Sequence, residues 1–187
     1  MTMSGADLLP QFQALIATAD PPELGPGPRS NLKPPAELNR AVAAILGQAH
    51  LSMPTGALIR ALILLWHDHL DEAHTLAQGV ENADGSYIHG IMHRREPDYG
   101  NARYWFRRAG RHVCFPPLSD RVAKLLEAKE EAKLAAKLVP RGEWDPCAFV
   151  DACEKVSRLE PGEPPVLLLR EIQGIESKTL LEHLIAG

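Results

Sequence analysis

Two stretches in the middle of the chain decide the fold. They read LIRALILLWHDHLDEAHTLAQGV from Leu58 to Val80 and YIHGIMHRREPDYGNARYWFRRAG from Tyr87 to Gly110. A shift of 29 residues, from position 58 to position 87, aligns the first stretch with the second without a gap. Apolar and small residues then coincide, as in the pairs Ile59 and Ile88, Ala61 and Gly90, Leu62 and Ile91, and Ala73 and Ala102. Each stretch has the apolar spacing of two helices joined by a short turn, so the repeat predicts two successive helical hairpins.

The small residues of the repeat indicate how the helices of each hairpin pack. Ala61 and Gly90 lie near the middle of each first helix, and Ala73 and Ala102 lie on each second helix. Antiparallel helices approach closely only where their side chains are small. This spacing, most clearly in the segment DYGNARYWFRRAG, resembles the tetratricopeptide pattern, although its period is shorter than the usual length of about 34 residues. The resemblance implies an all-α bundle of stacked, tetratricopeptide-like hairpins.

A longer signature runs through the same region. It comprises the segments WHDHLDEAH and HGIMHRREPDYGNARYWFRR and continues into WDPCAFVDAC. The signature resembles that of a family of uncharacterised bacterial and fungal proteins. The resemblance implies a shared domain fold, and it carries no activity or site residue over to this chain.

The remainder of the chain divides into an N-terminal segment, residues 1–36, and an all-helical domain, residues 37–187. Pro10 is tolerated in a helix only in its first turn, so we expect the first helix to begin near Leu9 and to pack loosely or against a partner. Six prolines between Pro21 and Pro35 predict an extended arm. In the domain, helical periodicity predicts helices at 36–49, 55–66, 119–139, 166–173 and 177–186, and one that Asp145 caps and Pro146 begins.

Composition excludes several classes of protein. A net charge of −4 gives no general attraction to nucleic acid or to anionic membranes. No apolar run approaches the roughly 20 residues that a membrane span needs, and the first 20 residues lack the pattern of a signal peptide. Cys114, Cys147 and Cys153 form no CxxC pair, so we expect neither disulfides nor a thiolate zinc site, and we expect a cytoplasmic protein with inert thiols.

Histidines are concentrated in the repeat, where five of the eight in the chain lie between positions 67 and 93. His89 and His93 are four residues apart and therefore share one helical face, and His67 and Asp71 have the same spacing. Imidazoles so placed can chelate a divalent metal ion such as zinc, and we predict a metal site at His67, Asp71, His89 and His93. A metal-dependent hydrolase that uses His67, His89 and His93 is the alternative function that follows from this site.

Arginines beside the histidines suggest a different site. Arg94, Arg95 and Arg107, with His89 and His93, could hold a small anion or the terminus of a peptide. Our first prediction is therefore a non-catalytic helical binding domain with a polar His/Arg pocket between the hairpins.

Two further interpretations of the same residues stay open. The doublet His67-Asp68 resembles that of His-Asp phosphohydrolases, for which His50 and Asp98 could supply the further upstream histidine and downstream aspartate. Alternatively, the His, Asp and Arg side chains form a structural network that caps helices and connects the hairpins without any ligand, and Asp98 then caps the helix that follows it. The substrate, the pathway and the oligomeric state are not determined by the sequence.

Overall fold

The computed structural model describes residues 4–186. Over those residues it contains ten α-helices, one short 3-10 turn at Pro140–Gly142 and no strand, which confirms the all-α prediction. Residues 1–3 of the predicted N-terminal segment and residue 187 of the predicted domain lie outside the described residues. The helices are α1 (Gly5–Leu15), α2 (Pro35–Leu46), α3 (Met53–Trp66), α4 (Leu70–Ala77), α5 (Ala83–Arg95), α6 (Tyr99–Ala109), α7 (Phe115–Ala128), α8 (Ala132–Leu138), α9 (Pro146–Val156) and α10 (Pro164–Ala186).

The repeat forms two antiparallel hairpins, α3 with α4 and α5 with α6, and both helices of the first contact α5. All four small residues of the pattern, Ala61, Ala73, Gly90 and Ala102, are buried. A Cβ atom added at Gly90 would lie 2.8 Å from the ring of Phe106, so α5 and α6 pack as closely as the sequence pattern requires. Membership of the tetratricopeptide class stays a prediction.

Helix α1 is part of the main hydrophobic core, so the expectation that it packs loosely is wrong. Leu8 and Phe12 are buried in one apolar cluster with residues of α2, α3 and α10. The helix begins at Gly5, capped by Ser4, and Pro10 lies in its interior. Burial of two large apolar side chains, worth about 1.5–3 kcal/mol each, offsets the cost of about 3 kcal/mol for an interior proline. Segments 1–36 and 37–187 therefore share a core.

The proline-rich segment, which we call the strap (Pro21–Lys33), runs over the surfaces of α5 and α10 instead of extending away from them. Arg170 Nη2 donates to the carbonyl oxygen of Pro21 at 2.7 Å, and Gln173 Nε2 donates to that of Glu23 at 2.9 Å. Leu24 packs against a second apolar cluster, formed by α7 to α10. Prolines lack a backbone donor, but their carbonyl groups still accept, so side chains of α10 can bind the strap.

Three predicted helices in the C-terminal half differ from the structure. The helix predicted at 119–139 is divided into α7 and α8, because Glu130 adopts a left-handed conformation with φ of 58°. Glu131 N–H then donates to the carbonyl oxygen of Leu126 at 2.8 Å, which is the bond of a Schellman cap. The division redirects α8 so that Leu138 is buried in the second apolar cluster.

The helices predicted at 166–173 and 177–186 form a single helix, α10. Gly174 does not end it, because the glycine is where the strap crosses the helix. A Cβ atom there would lie 3.4 Å from Pro21 and 3.8 Å from Trp66. Close packing thus accounts for a residue that costs about 1 kcal/mol in a helix interior.

The predicted helix caps are confirmed. Asp145 Oδ1 accepts from Ala148 N–H at 2.9 Å, and Asp98 Oδ1 accepts from Asn101 N–H at 3.2 Å. Among the described residues, no helix is both long enough and apolar enough to cross a membrane.

We expect Gly90→Ala to lower the free energy of unfolding by about 1–3 kcal/mol, because the new methyl group meets the buried Phe106 ring. Gly100→Ala is the matched control, since its nearest neighbour is 3.9 Å away and alanine favours the helix. Urea denaturation followed by circular dichroism measures both changes. Equal stability of the two variants would contradict the close packing of the second hairpin.

Candidate metal site

The structure does not bring the four predicted metal ligands together. His67 ends α3 and is buried, with its Nε2 2.8 Å from the carbonyl oxygen of Leu15, whereas Asp71 is exposed on α4. His89 Nδ1 lies 2.8 Å from the carbonyl oxygen of Gly85. Within residues 4–186, these four side chains are not among the groups whose ligand atoms lie within 4.8 Å of one another, so this set is a correction to the sequence analysis.

His89 and His93 do lie together, and His74 of α4 joins them. The ring centroids of His74 lie 5.5 Å from those of His89 and 5.7 Å from those of His93. His89 also stacks on Trp105, with centroids 4.2 Å apart. Burial lowers the pKa of His89, and the neighbouring imidazoles act in the same direction, so the ring is held neutral at pH 7. These histidines pack the two hairpins together without meeting the distances of a metal site.

The predicted anion pocket does not form, because Arg94 is committed to an internal ion pair. Its guanidinium is fully buried, and its Nη2 lies 2.5 Å from Oε2 of Glu176, which is also buried. Gln173 Oε1 accepts a further bond at 3.2 Å, and the ring of Phe149 lies against the guanidinium, its centroid 4.4 Å from Cζ. Nη1 and Nη2 are used in these bonds, and Nε is buried without a hydrogen-bond partner, so the guanidinium is closed to a ligand from solvent.

Arg95 is committed in the same manner on the opposite side of α5. Its Nη2 donates to Asp68 Oδ1 at 2.6 Å, and its other donors reach carbonyl oxygens of α3 and of the strap. Arg29 of the strap donates to the other carboxylate oxygen of Asp68, with Nε 3.0 Å away. Arg107, the third predicted anion ligand, is exposed on α6. Arg94 and Arg95 therefore follow the structural-network interpretation, and Asp68 is a buried anion between two arginines.

A different group of ligand atoms converges near the start of α5. His112, Cys114 and His183 each offer one ligand atom, and within the described residues these atoms all lie within 4.8 Å of one another. Asp84 completes the group, because its Oδ1 lies 2.9 Å from Nε2 of His112 and 2.9 Å from Nε2 of His183.

Local structure brings these residues together from three parts of the chain. Asp84 is in the first turn of α5, and His183 is in the last turn of α10. Gly110, with φ of 68°, ends α6 and turns the chain into the short loop that carries His112 and Cys114. The site thus closes the second hairpin against the C-terminal helix.

Hydrogen bonds fix the orientation of the His112 ring. Cys114 N–H donates to His112 Nδ1 at 3.2 Å, so Nδ1 is the unprotonated nitrogen and Nε2–H donates to Asp84. The hydrogen bond from His112 lowers the pKa of Asp84, which keeps the carboxylate charged. A carboxylate that accepts from an imidazole N–H orients a histidine ligand whose other ring nitrogen binds the metal, so His112 would bind an ion through Nδ1 and the bond from Cys114 N–H would be replaced.

The site is closed on one side and accessible on the other. The side chain of His112 is 1% exposed, whereas those of Asp84 and His183 are 25% and 30% exposed. Burial raises the pKa of Cys114 to about 12, and the charge of Asp84 acts in the same direction. The thiol is therefore neutral at pH 7 and unsuited to act alone as a nucleophile.

The donor set has the chemistry of a zinc site. Two imidazoles and one sulfur are ligand types that zinc takes in proteins, and a sulfur ligand excludes magnesium and calcium, which require oxygen. This group was not predicted from the sequence, because His112 and Cys114 alone lack a metal-binding spacing and Asp84 and His183 are far away in the chain. The one local indication of a metal site in the sequence is that His112 and Cys114 are two residues apart, on either side of Val113.

Comparison of the chain with protein-family models, with curated proteins and with solved structures finds no match.

We expect Asp68→Ala to lower the free energy of unfolding by about 3–5 kcal/mol, because it leaves Arg29 and Arg95 without their carboxylate partner. Asp71→Ala, at an exposed position of α4, is the control and should change stability by about 0.5 kcal/mol or less.

The same carboxyl group predicts a pH dependence. Burial alone would raise the pKa of Asp68, but the hydrogen bonds and charges of Arg29 and Arg95 outweigh it and lower the pKa. The stabilisation is thus present above the ordinary pKa of about 4 and is lost as the pH falls through the lower value of the folded state. The free energy of unfolding of Asp68→Asn and of the natural chain is measured as the pH is lowered below about 4, where the variant should lose less stability. If the free energies of both proteins fell by equal amounts, a charged Asp68 in the folded state would be contradicted.

Proposed function

We propose that this chain is a helical domain that binds one divalent transition-metal ion, most suitably zinc, through His112, Cys114 and His183. The observation that carries the proposal is the convergence of these three ligand atoms within 4.8 Å. The domain is thus a binding domain, as the sequence analysis expected, but its ligand occupies the end of the second hairpin instead of a His/Arg pocket.

Asp84 supports the proposal independently. Its carboxylate accepts from both imidazoles through one oxygen and supplies negative charge beside the cation site. The charge of a bound cation favours the thiolate form of cysteine strongly enough to displace its proton, so the high pKa of the free Cys114 thiol does not oppose binding.

Metal binding at this place would stabilise the tertiary structure. The ligands belong to the loop after α6 and to α10, so one ion would connect two segments that are far apart in the chain, and Asp84 of α5 is hydrogen-bonded to both histidines. Any ligand that binds only the folded state raises its stability in proportion to the logarithm of ligand concentration.

A metal-dependent hydrolase at the same residues is the second candidate. The partial exposure of Asp84 and His183 favours it, because water can approach the ion from this side. Three protein ligands leave one coordination position of zinc open, and a bound water there is activated for attack. Asp84 would then serve as the general base. This version replaces the hydrolase based on His67, His89 and His93, whose ligand atoms do not converge.

We expect the purified chain to hold about one zinc ion after dialysis, measured by inductively coupled plasma mass spectrometry. His183→Ala should lower zinc affinity at least about tenfold and abolish the rise in melting temperature with added zinc. His89→Gln is the matched control, because it removes a histidine of the sequence-based ligand set and should leave zinc binding unchanged. Zinc loss in His89→Gln with retention in His183→Ala would refute the proposed site.

Cobalt(II) substitution separates the two candidates. A thiolate-to-cobalt charge-transfer band that disappears in Cys114→Ser identifies the sulfur ligand. Azide should perturb the cobalt spectrum if a position is open to solvent, as the hydrolase requires, and should have no effect if the site is closed and structural. Absence of any thiolate band in the natural chain would exclude Cys114 as a ligand and contradict both versions.

A further inference from the structure

A groove of about 940 Å³ lies between α8, α9 and the start of α10, and it shares no residue with the proposed metal site. Its floor is apolar and comes from all three helices: the partly exposed Leu134, Ala152 and Leu168 lie over the buried Leu138, Val156 and Leu169. Leu159, at one border of the groove, is 44% exposed. Contiguous apolar surface of this kind indicates an interaction site.

Charges along the groove are mainly positive. Lys133 and Lys137 of α8 and Lys155 of α9 line it, and none of them forms an ion pair within residues 4–186. Asp151 is held by Arg103, with Nη2 2.7 Å from Oδ1, so Glu131 is the remaining carboxylate of the lining without an ion pair. The chain as a whole has a net charge of −4, so the positive charge along the groove is opposite in sign to that of the whole protein.

The arrangement of the lysines indicates the shape of the partner. Lys133 and Lys137 are four residues apart on α8, at one side of the groove. Lys155 is on α9, at the other side. A fatty acid carries one carboxylate at one end, whereas an amphipathic helix can carry acidic residues along both flanks of its apolar face. An α-helix with its side chains is about 11 Å wide. With half of its cross-section inside the groove, a volume of about 940 Å³ holds about 20 Å of helix, or about 13 residues.

We propose that this groove binds an amphipathic helix of a partner protein, with apolar residues at positions i, i+3, i+4 and i+7 and with acidic residues on both flanks. The apolar face would pack on the leucines of α8 and α10, and the carboxylates would pair with Lys133, Lys137 and Lys155. This is the helix-in-groove mode of recognition, in which apolar burial supplies affinity and charge sets specificity and association rate.

The test uses the full chain and a fluorescein-labelled peptide of about 18 residues, composed of leucine, alanine and glutamate in that pattern, which spans the groove length estimated above. Fluorescence anisotropy should show saturable binding that weakens with increasing salt. A scrambled peptide of identical composition and a peptide with lysine in place of glutamate should bind at least about tenfold more weakly.

Charge reversal on the protein supplies the complementary measurement. Lys133→Glu with Lys137→Glu should weaken binding of the glutamate peptide at least about tenfold and strengthen binding of the lysine peptide. Arg40→Glu with Lys124→Glu makes the same change in net charge at exposed positions outside the groove, and it should leave both affinities nearly unchanged. Circular dichroism confirms that each variant is folded.

Three outcomes would overturn the proposal. Equal binding of the ordered and scrambled peptides would exclude recognition of an apolar helical face. Binding of dodecanoate but of neither peptide would assign the groove to a lipid. Dimerisation in sedimentation velocity that the Lys133→Glu, Lys137→Glu variant abolishes, without peptide binding, would assign it to a second copy of this chain. The measurements are repeated with zinc and with EDTA, so failure of the metal site would not affect their interpretation.

Discussion

Two adjacent arginines of α5, each buried and each paired with a buried carboxylate, are the constraint on which the rest of the structure depends. Arg94 faces Glu176 of α10, and Arg95 faces Asp68 in the turn of the first hairpin. Removing one partner of such a pair leaves an isolated charge in the interior, which costs about 3–5 kcal/mol. A fold in which these partners are separated is therefore strongly disfavoured. The positions of α10 and of the first hairpin are thus fixed relative to α5.

This arrangement explains why the strap is bound despite its proline content. Arg95 and Arg29 place their remaining donors on backbone oxygens and on Asp68, and Gln173 extends the same network to the strap. The carbonyl groups of Glu23 and Gly25 in the strap thereby each gain a donor. Arg95, which the sequence suggests as part of a ligand pocket, is thus one of the residues that hold this segment in place.

The same pairing positions both proposed sites. Glu176 and His183 belong to one continuous helix, so the bond between Arg94 and Glu176 sets the depth and rotation at which His183 meets Asp84 and His112. The start of α10, in turn, supplies one wall of the lysine-bordered groove. A metal ion at one end and a helical partner at the other would thus bind to surfaces fixed by one internal network.

Local chemistry in the sequence determined the two hairpins of the repeat and the start of α6 after Asp98, whereas α3 and α5 begin earlier than predicted. Apolar periodicity, the caps at Asp98 and Asp145 and the small residue at Gly90 act within a few residues of chain, so they can be identified without coordinates. The division of α7 from α8 was not predictable in this way, because a left-handed Glu130 is favoured only by the burial of Leu138 that it permits.

Tertiary structure alone decided which polar residues meet. His89 and His93 share a helical face, as their spacing requires, but whether a third ligand reaches them depends on packing between elements. Arg94 was expected to bind an anion, and it does bind one, the carboxylate of Glu176, 82 residues later in the chain. The group of Asp84, His112, Cys114 and His183 likewise has no common period in the sequence. Helical periodicity encodes which face of an element is apolar, whereas the partner of a buried charge or a ligand atom is selected by the pairing of distant segments.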